Sequence, residues 1–531
     1  MNSISSVVTV SRTAIYWVLL TSIGLLLSAC AISMPTQKPA EFSFIETTID
    51  DIHTAIKDQT IDCETITKGF LDRIKKYDEI SNLNSIISKN PNAIDRARAL
   101  DNKFQQAKTM GSLHCVPVIL KDNFDTADMP TEAGSIALSG SIPPDDAYMV
   151  RKLRQADSII IAKSNMGEWA FSPYNTISST HGETRNAYDL NRVPAGSSGG
   201  TASAIAANFG VIGMGSDTGN SIRGPASHLA LVGIRSTIGV TSRDGIVPLL
   251  LNLDIGGPLM RTVKDTAKVF NVIAGYDPAD PTTKSYENHK VGDYTAHLTR
   301  NGLSKVRLGV LRQIYDSETA DKQVLAVFAQ ALNDLGSSGA VIIDPVTIPD
   351  FEELIKATGF CSRFRYDINN YLKTLGNNTD IKALKDVVKQ KKFRPENDGA
   401  MKWAMRIDAD VKPAQQNPPC IDVEGDPRRK ALLTAVVTTM DSLKLDALIY
   451  PTWSNLPRKI GDSESPHGNN SPVIAPHSGQ PAITVPMGYV GNNLPLGLQM
   501  LGRPFSEEKL FQYAYAYEQA SHHRKPPRLF P

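Results

Sequence analysis

The chain has 531 residues, of which 41% belong to the apolar and aromatic classes, and its 37 glycines follow no short period. That composition is globular and excludes collagen-like, low-complexity and largely disordered proteins. The 56 lysines and arginines against 55 acidic residues leave a formal charge of +1, so no basic field exists to hold a phosphate backbone and nucleic acid is not an expected partner. At roughly 150 residues per domain the length suggests about three units, although one α/β sheet that keeps growing can absorb as much.

The first thirty residues contain one charged side chain, Arg12, followed by an apolar run from Ala14 to Leu27. That run is short for a bilayer span and ends in small residues, as a cleavable leader does. Leu27-Ser28-Ala29-Cys30 resembles a bacterial lipobox, whose cysteine is acylated with fatty chains such as palmitate and becomes the first residue of the mature protein. A plain secretory peptide, or an uncleaved anchor in which Cys30 is incidental, is the alternative. The lipobox reading divides the chain into a signal peptide (1–29), a lipidated Cys30 with a Pro-containing tether (30–45) and a single domain (46–531). The reading is a cell-envelope lipoprotein, periplasm-facing or in the outer membrane; Ala31 stands where Asp favours inner-membrane retention, which leans towards the outer membrane without deciding between the two. Removing residues 1–29 takes Arg12 away and brings the charge to zero, so membrane attachment would depend on the lipid rather than on a basic patch.

From Ile49 the apolar positions Ile49, Ile52 and Ile56, then Ile66, Phe70 and Ile74, recur at helical spacing. Val116–Leu120 is a short apolar run ending at Lys121-Asp122-Asn123. Ser158–Ala162 is another, after which a helix is expected through Met166, Trp169 and Ala170. Between Pro194 and Pro225, a Gly/Ser turn (196–200), a small-residue helix (201–208), an apolar strand (211–215) and a second Gly/Ser turn (217–221) follow one another. Strands buried on both faces and alternating with helices predict an α/β fold with polar groups at the strand ends. Residues 300–460 are more charged, with helices expected over 321–335 and 427–443, and read as a peripheral layer that shapes a pocket. Cys63, Cys115, Cys361 and Cys420 fit no zinc spacing, and no H-E-x-x-H occurs, so neither metal nor cofactor is expected. These thiols are open to disulfide pairing or to burial as free cysteines.

Gly196-Ser197-Ser198-Gly199-Gly200 satisfies G-x-S-x-G with Ser198 at its centre, but that elbow needs a strand running into it. The approach, Asn186 to Pro194, carries turn formers and a proline instead. Gly213-Met-Gly215 lacks the third glycine of a dinucleotide loop, because Thr218 stands there. Ser506-Glu-Glu-Lys509 reads as a helix cap.

The remaining motifs are Gly196–Gly200, Gly215-Ser-Asp-Thr-Gly-Asn-Ser-Ile-Arg223, Val116-Pro-Val-Ile-Leu-Lys-Asp-Asn-Phe124 and Lys163-Ser-Asn-Met-Gly-Glu168. To these are added Gly257–Asp265, Ile273–Pro278, Gly479–Pro486 and Leu496–Pro504. Together they resemble the amidase signature family, in order, from about residue 46 to 525 and most weakly between 300 and 440. The resemblance implies one large twisted mixed β-sheet covered by helices on both faces. It implies an amidase with Ser221, 24 positions after Ser197, as the nucleophile that forms an acyl-enzyme. Ser197, held through a cis peptide in the family, would relay protons to the base Lys121, which must be uncharged and therefore buried. Backbone amides of Thr218, Gly219, Asn220 and Ser221 would hold the oxyanion, with Ser198, Asp217 and Arg223 in support. The family usually has Gly at the positions of Asn220 and Ala195. Asn tolerates positive φ, but its side chain could intrude on the reacting groups.

The expected partner is thus a small-molecule amide, together with a membrane reached through Cys30. Two other readings stand beside it: a glutaminase-type component of a tRNA-dependent amidotransferase, its A chain, disfavoured by the leader, and a non-catalytic binding lipoprotein on the same scaffold, supported only by Asn220. Arg363 and Arg365 are candidate binders of a substrate carboxylate, against a default of solvated surface arginines.

Overall fold

After residue 46 come the two expected helices, Ile49–Lys57 and Cys63–Arg73. Thr48 and Asp51 form a reciprocal capping box on the first, and Asp62 caps the second by accepting from Thr65 N at 2.7 Å. The computed structural model describes Met1, residues 42–491 and residues 493–531, and Ser43–Pro531 form one unit. Residues 2–41, on which the expected leader, Cys30 and most of the expected tether fall, lie outside the described residues.

Thirteen strands follow in chain order: β1 (Ile86–Lys89), β2 (Pro117–Lys121), β3 (Ile159–Ser164), β4 (Ile177–Ser178), β5 (Gly182–Glu183), β6 (Ile212–Asp217), β7 (Val232–Arg235), β8 (Ile255–Met260), β9 (Arg307–Val310), β10 (Val341–Ile343), β11 (Ala447–Pro451), β12 (Ala482–Val490) and β13 (Leu494–Leu501). Strands β4 and β5 form a small separate ladder. The other eleven make one mixed sheet in the order β1-β3-β2-β6-β8-β7-β12-β13-β11-β9-β10, with helices packed around it. The runs β3-β2-β6 and β11-β9-β10 are parallel, and the remaining pairs are antiparallel. Every residue of β2, β3, β6, β8 and β11 is buried, which is why these segments read as continuous apolar runs rather than as alternations.

The small-residue helix spans Gly199–Ala206 and is buried along its whole length. Close approach is its structural requirement: a Cβ on Gly200 would lie 2.1 Å from Asn165 O. The helix expected after Asn165 is not formed. Glu168–Ala170 is a single 3-10 turn, with Trp169 and Ala170 at φ 52° and 60°. Tertiary bonds claim its backbone, because Gly167 N donates to Ser197 O at 3.0 Å and Trp169 N donates to Ala133 O at 2.9 Å.

Residues 300–460 are more than a peripheral layer, since they supply β9, β10 and the buried β11. The helices expected there are Lys322–Ser337 and Pro427–Ser442. A further helix, Phe364–Thr374, joins the core that holds Met166, Trp169 and Leu250. Among the described residues no helix is long and apolar enough to cross a membrane.

The cysteines are paired, Cys63 with Cys115 (Cα–Cα 5.3 Å) and Cys361 with Cys420 (5.7 Å). His114 Nε2 lies 3.8 Å from Cys63 Sγ, but both sulfurs of that cluster are committed to each other. Each bond closes a loop of more than fifty residues, so replacing both Cys63 and Cys115 by Ser is expected to cost about 2–4 kcal/mol in urea unfolding. Alkylation of the unfolded, unreduced protein should leave all four cysteines unmodified, and modification at any of them would refute the pairing.

Candidate active site

Strand β2 ends at Lys121, and its parallel neighbour β6 carries Ser216 and Asp217 at the same end of the sheet. The Lys121 amine is fully buried and bonds to two hydroxyls, Ser197 Oγ at 2.8 Å and Ser216 Oγ at 2.8 Å. Asn123 Nδ2 donates to the same Ser216 oxygen at 3.0 Å and so fixes its orientation. Lys121 makes no ion pair among the described residues. Burial therefore dominates and pulls its pKa down from 10.5 to about 7, against a weaker opposing pull from Asp217 and Asp254.

Ser197 follows a cis peptide from Gly196. Its carbonyl accepts from Gly167 N, and Gly196 N donates to Pro173 O, both at 3.0 Å, so the segment is fastened from two sides. Thr176 Oγ1 donates to Ala195 O at 2.9 Å and accepts from Gly199 N at 3.0 Å. Ser198 Oγ donates to Ser216 O at 3.2 Å and takes no part in the lysine contact. No strand enters Gly196, so the backbone an elbow requires is missing.

The second turn is organised by charge. Asp217, Arg223 and Arg235 are all fully buried. Asp217 Oδ2 accepts from Arg223 Nε at 3.0 Å and from Ile222 N at 3.2 Å, and Oδ1 accepts from Arg235 Nη1 at 3.1 Å. The two guanidiniums hold its carboxyl below the usual carboxylate range despite the burial. Arg223 also donates to Gly219 O at 2.6 Å, and Gly224 N donates to Asn220 O at 2.7 Å. With these carbonyls turned away, the N–H groups of Gly219, Asn220 and Ser221 have no acceptor among the described residues. Thr218 is fixed by its side chain, which donates to Asp254 Oδ1 at 2.5 Å. Ser221 is 5% exposed, and its hydroxyl has no hydrogen-bond partner among the described residues. Such contacts commonly tighten only when substrate binds.

Asn220 does not have positive φ, and its Nδ2 donates to Pro173 O at 3.2 Å and to Gly196 O at 3.4 Å. Its side chain is therefore tied to the cis-serine segment instead of intruding on the reacting groups. The left-handed residue is Ala195, at φ 64°. Arg363 is held in a bidentate pair by Asp367 at 2.6 and 2.9 Å, so its fork is already taken, and Arg365 donates through Nη1 to Ile407 O at 3.1 Å.

Sequence reasoning missed Ser216, Asn123, Thr176 and Arg235. Ser216 stands next to Asp217 in the motif, but its contact with Lys121 depends on the register of β2 against β6, which no local pattern encodes. Asn123, Ser216 and Thr218 line a narrow crevice with Ala170, Val247 and Leu249. A wider surface cavity among His53, Lys57 and Phe104 contains none of the catalytic candidates.

Residues 65–511 match the family model described as Amidase. The chain is 31% identical to a probable amidase of Arabidopsis thaliana over 502 residues, covering 92% of each chain. It is 33% identical to the A component of the glutamyl-tRNA(Gln) amidotransferase of Gloeothece citriformis over 500 residues, covering 90% of this chain and 99% of that one. The structure resembles the peptide amidase of Stenotrophomonas maltophilia with a TM-score of 0.82 and 33% identity, over 92% of this chain and 100% of the other. The chain belongs to the amidase signature family and is an amide-hydrolysing enzyme.

Proposed function

We propose that this chain is an exported, lipid-anchored amidase that hydrolyses an uncharged carboxamide through Ser221, Ser197 and Lys121. The observation that carries the reading is the Lys121 amine, sealed from water between two hydroxyls with no carboxylate paired to it. An exposed lysine, with a pKa of ~10.4, is neutral in fewer than about one molecule in a thousand at pH 7. Here about half the molecules are neutral at that pH, and a neutral amine accepts a proton.

Ser197 Oγ passes its proton to Lys121 Nζ and takes the proton of Ser221 Oγ, which attacks the carbonyl carbon. The oxyanion is met by the open N–H groups of Gly219, Asn220 and Ser221. As the C–N bond breaks, the proton returns through Ser197 to the departing nitrogen, and ammonia or an amine leaves. Water then attacks the acyl-enzyme, giving its proton to the same relay, and Ser221 is restored with the carboxylate released.

The occupation of the Arg363 fork by Asp367 favours an uncharged amide over glutamine, whose α-carboxylate needs a cation. The paired cysteines support maturation in an oxidising compartment, where aminoacylated tRNA is absent. Asn220, anchored away from the reacting groups, no longer supports a non-catalytic scaffold.

Ser221→Ala is expected to lower kcat by about 10⁴-fold or more and to abolish labelling by a serine-directed phosphonate. Ser198→Ala should retain labelling, and labelling that instead disappears only in Ser198→Ala would overturn the assignment. Because the base works uncharged, kcat/KM should rise with pH through a midpoint near 7 and level off above it. A flat profile between pH 6 and 9 would remove Lys121 from that role. In a bacterial host, incorporation of a palmitate analogue should be lost in Cys30→Ala, and unchanged incorporation would refute lipidation at Cys30.

A further inference from the structure

We propose that Phe360 is a specificity-determining residue, a wall beside the oxyanion turn against which an uncharged amide packs an aromatic or large aliphatic group. The inference rests on the reading of the Thr218–Ser221 turn as the place where the amide is attacked.

Phe360 is 49% exposed, in contrast to the nearby aromatic side chains of Trp169 and Phe364. A Cβ added at Gly219 would meet Phe360 Cζ at 3.5 Å and Pro472 Cβ at 3.5 Å. The ring edge and the proline therefore border the space that a side chain at 219 would fill, beside the residue whose N–H opens towards the oxyanion. Glycine at 219 leaves the phenyl in direct view of that turn, where any larger residue would interpose its own side chain.

The position of this ring is built rather than incidental. Cys361 next to it is bonded to Cys420, and Asn252 Nδ2 lies 3.7 Å from Cys361 Sγ while donating to Ile421 O at 3.2 Å. Ser362 Oγ donates to Trp403 O at 3.2 Å, and Ser362 O accepts from Gln416 Nε2 at 3.0 Å. On its inner side the phenyl meets the His477 ring edge-on, with centroids 4.9 Å apart. Burial and the Arg429 guanidinium keep that imidazole uncharged, so the ring beneath Phe360 is neutral at neutral pH. The main chain after the ring is fixed at several points, yet its outer face is bare. A fixed and uncovered phenyl beside a reacting centre matches a substrate surface of the same kind. Charge agrees, because the cation nearest in the segment, Arg363, is neutralised by Asp367.

The test compares N-acetyl-phenylalaninamide with N-acetylglycinamide, which are uncharged and differ by one benzyl group. In Phe360→Ala the ratio of their kcat/KM values should fall about ten-fold in favour of the glycine amide, mainly through KM, and Phe360→Leu should recover most of it. Replacing both Cys361 and Cys420 by Ser should lower the same ratio, because the ring loses its fixed position. An intact ratio in Phe360→Ala, including a loss common to both amides, overturns the proposal. Calorimetric binding of the two amides to Ser221→Ala, with and without Phe360→Ala, reads the same preference without turnover. Selective weakening of the aromatic amide there upholds the role of Phe360 even if the wild type hydrolyses neither amide, an outcome that would count only against the proposed turnover of such uncharged amides through Ser221. Equal binding of both amides sinks the role of Phe360.

Discussion

The burial of one amine governs the rest of this structure. A lysine at the end of a fully buried parallel strand has no water around its Nζ, and the chain gives it two hydroxyls instead of a carboxylate. The displacement of its pKa from 10.5 to about 7 is worth roughly 5 kcal/mol of preference for the neutral form. A carboxylate at ion-pair distance would remove that preference and leave a cation that cannot accept a proton. The surroundings meet this constraint. Neutral side chains touch the amine directly, and Asp217 and Asp254 act on it only from farther off, each engaged by partners of its own.

A second buried charge cluster does the opposite work. Asp217 is kept ionised by Arg223 and Arg235, and the three side chains are closed off from solvent. Removing one member of such a cluster leaves an uncompensated buried charge, typically at a cost of about 3–5 kcal/mol. That stake fixes the turn between Asp217 and Arg223, because the same guanidinium and carboxylate bind the turn's own carbonyl and amide groups. One strand, β6, therefore places Ser216 on the lysine and Asp217 on the arginines in adjacent positions. Alternation of side chains along a strand sends the two neighbours to opposite faces of the sheet, which lets a neutral site and a charged anchor lie one residue apart.

The groups proposed to react could be picked out in the sequence because each sits inside a short motif: Lys121 after its apolar run, Ser197 and Ser221 in their Gly/Ser turns. A sheet covered on both faces was legible because its buried strands leave uninterrupted apolar runs, whereas its size and mixed strand directions came only from the family resemblance. Contacts that depend on register or on distant segments were not legible. Ser216 meets Lys121 through strand pairing, and Trp169 leaves helical geometry because Ala133 O takes its N–H. Asn220 and Ala195 show the same limit in reverse. Both depart from the family's glycine, and the sequence marked Asn220 as the troublesome one. Backbone geometry puts the positive φ at Ala195, while Asn220 uses its amide to join the two catalytic turns.

The division of labour between strands and later segments accounts for how one scaffold serves both peptide amidases and tRNA-dependent amidotransferases at comparable similarity to this chain. Proton transfer needs groups held to within a few tenths of an ångström, and these come from β2, β6 and the turns fastened to them. Side chains from the segments around 360 and 472 border the space in front of Gly219, and the turn does not use them for its own bonding. Changing those side chains alters what the turn can accept without altering the turn. Arg363 illustrates the point: its guanidinium would suit a carboxylate, but Asp367, four residues along the same helix, already occupies it. On the proposed function, selectivity against a charged substrate would draw on this internal ion pair, which makes no contact with the amine of Lys121.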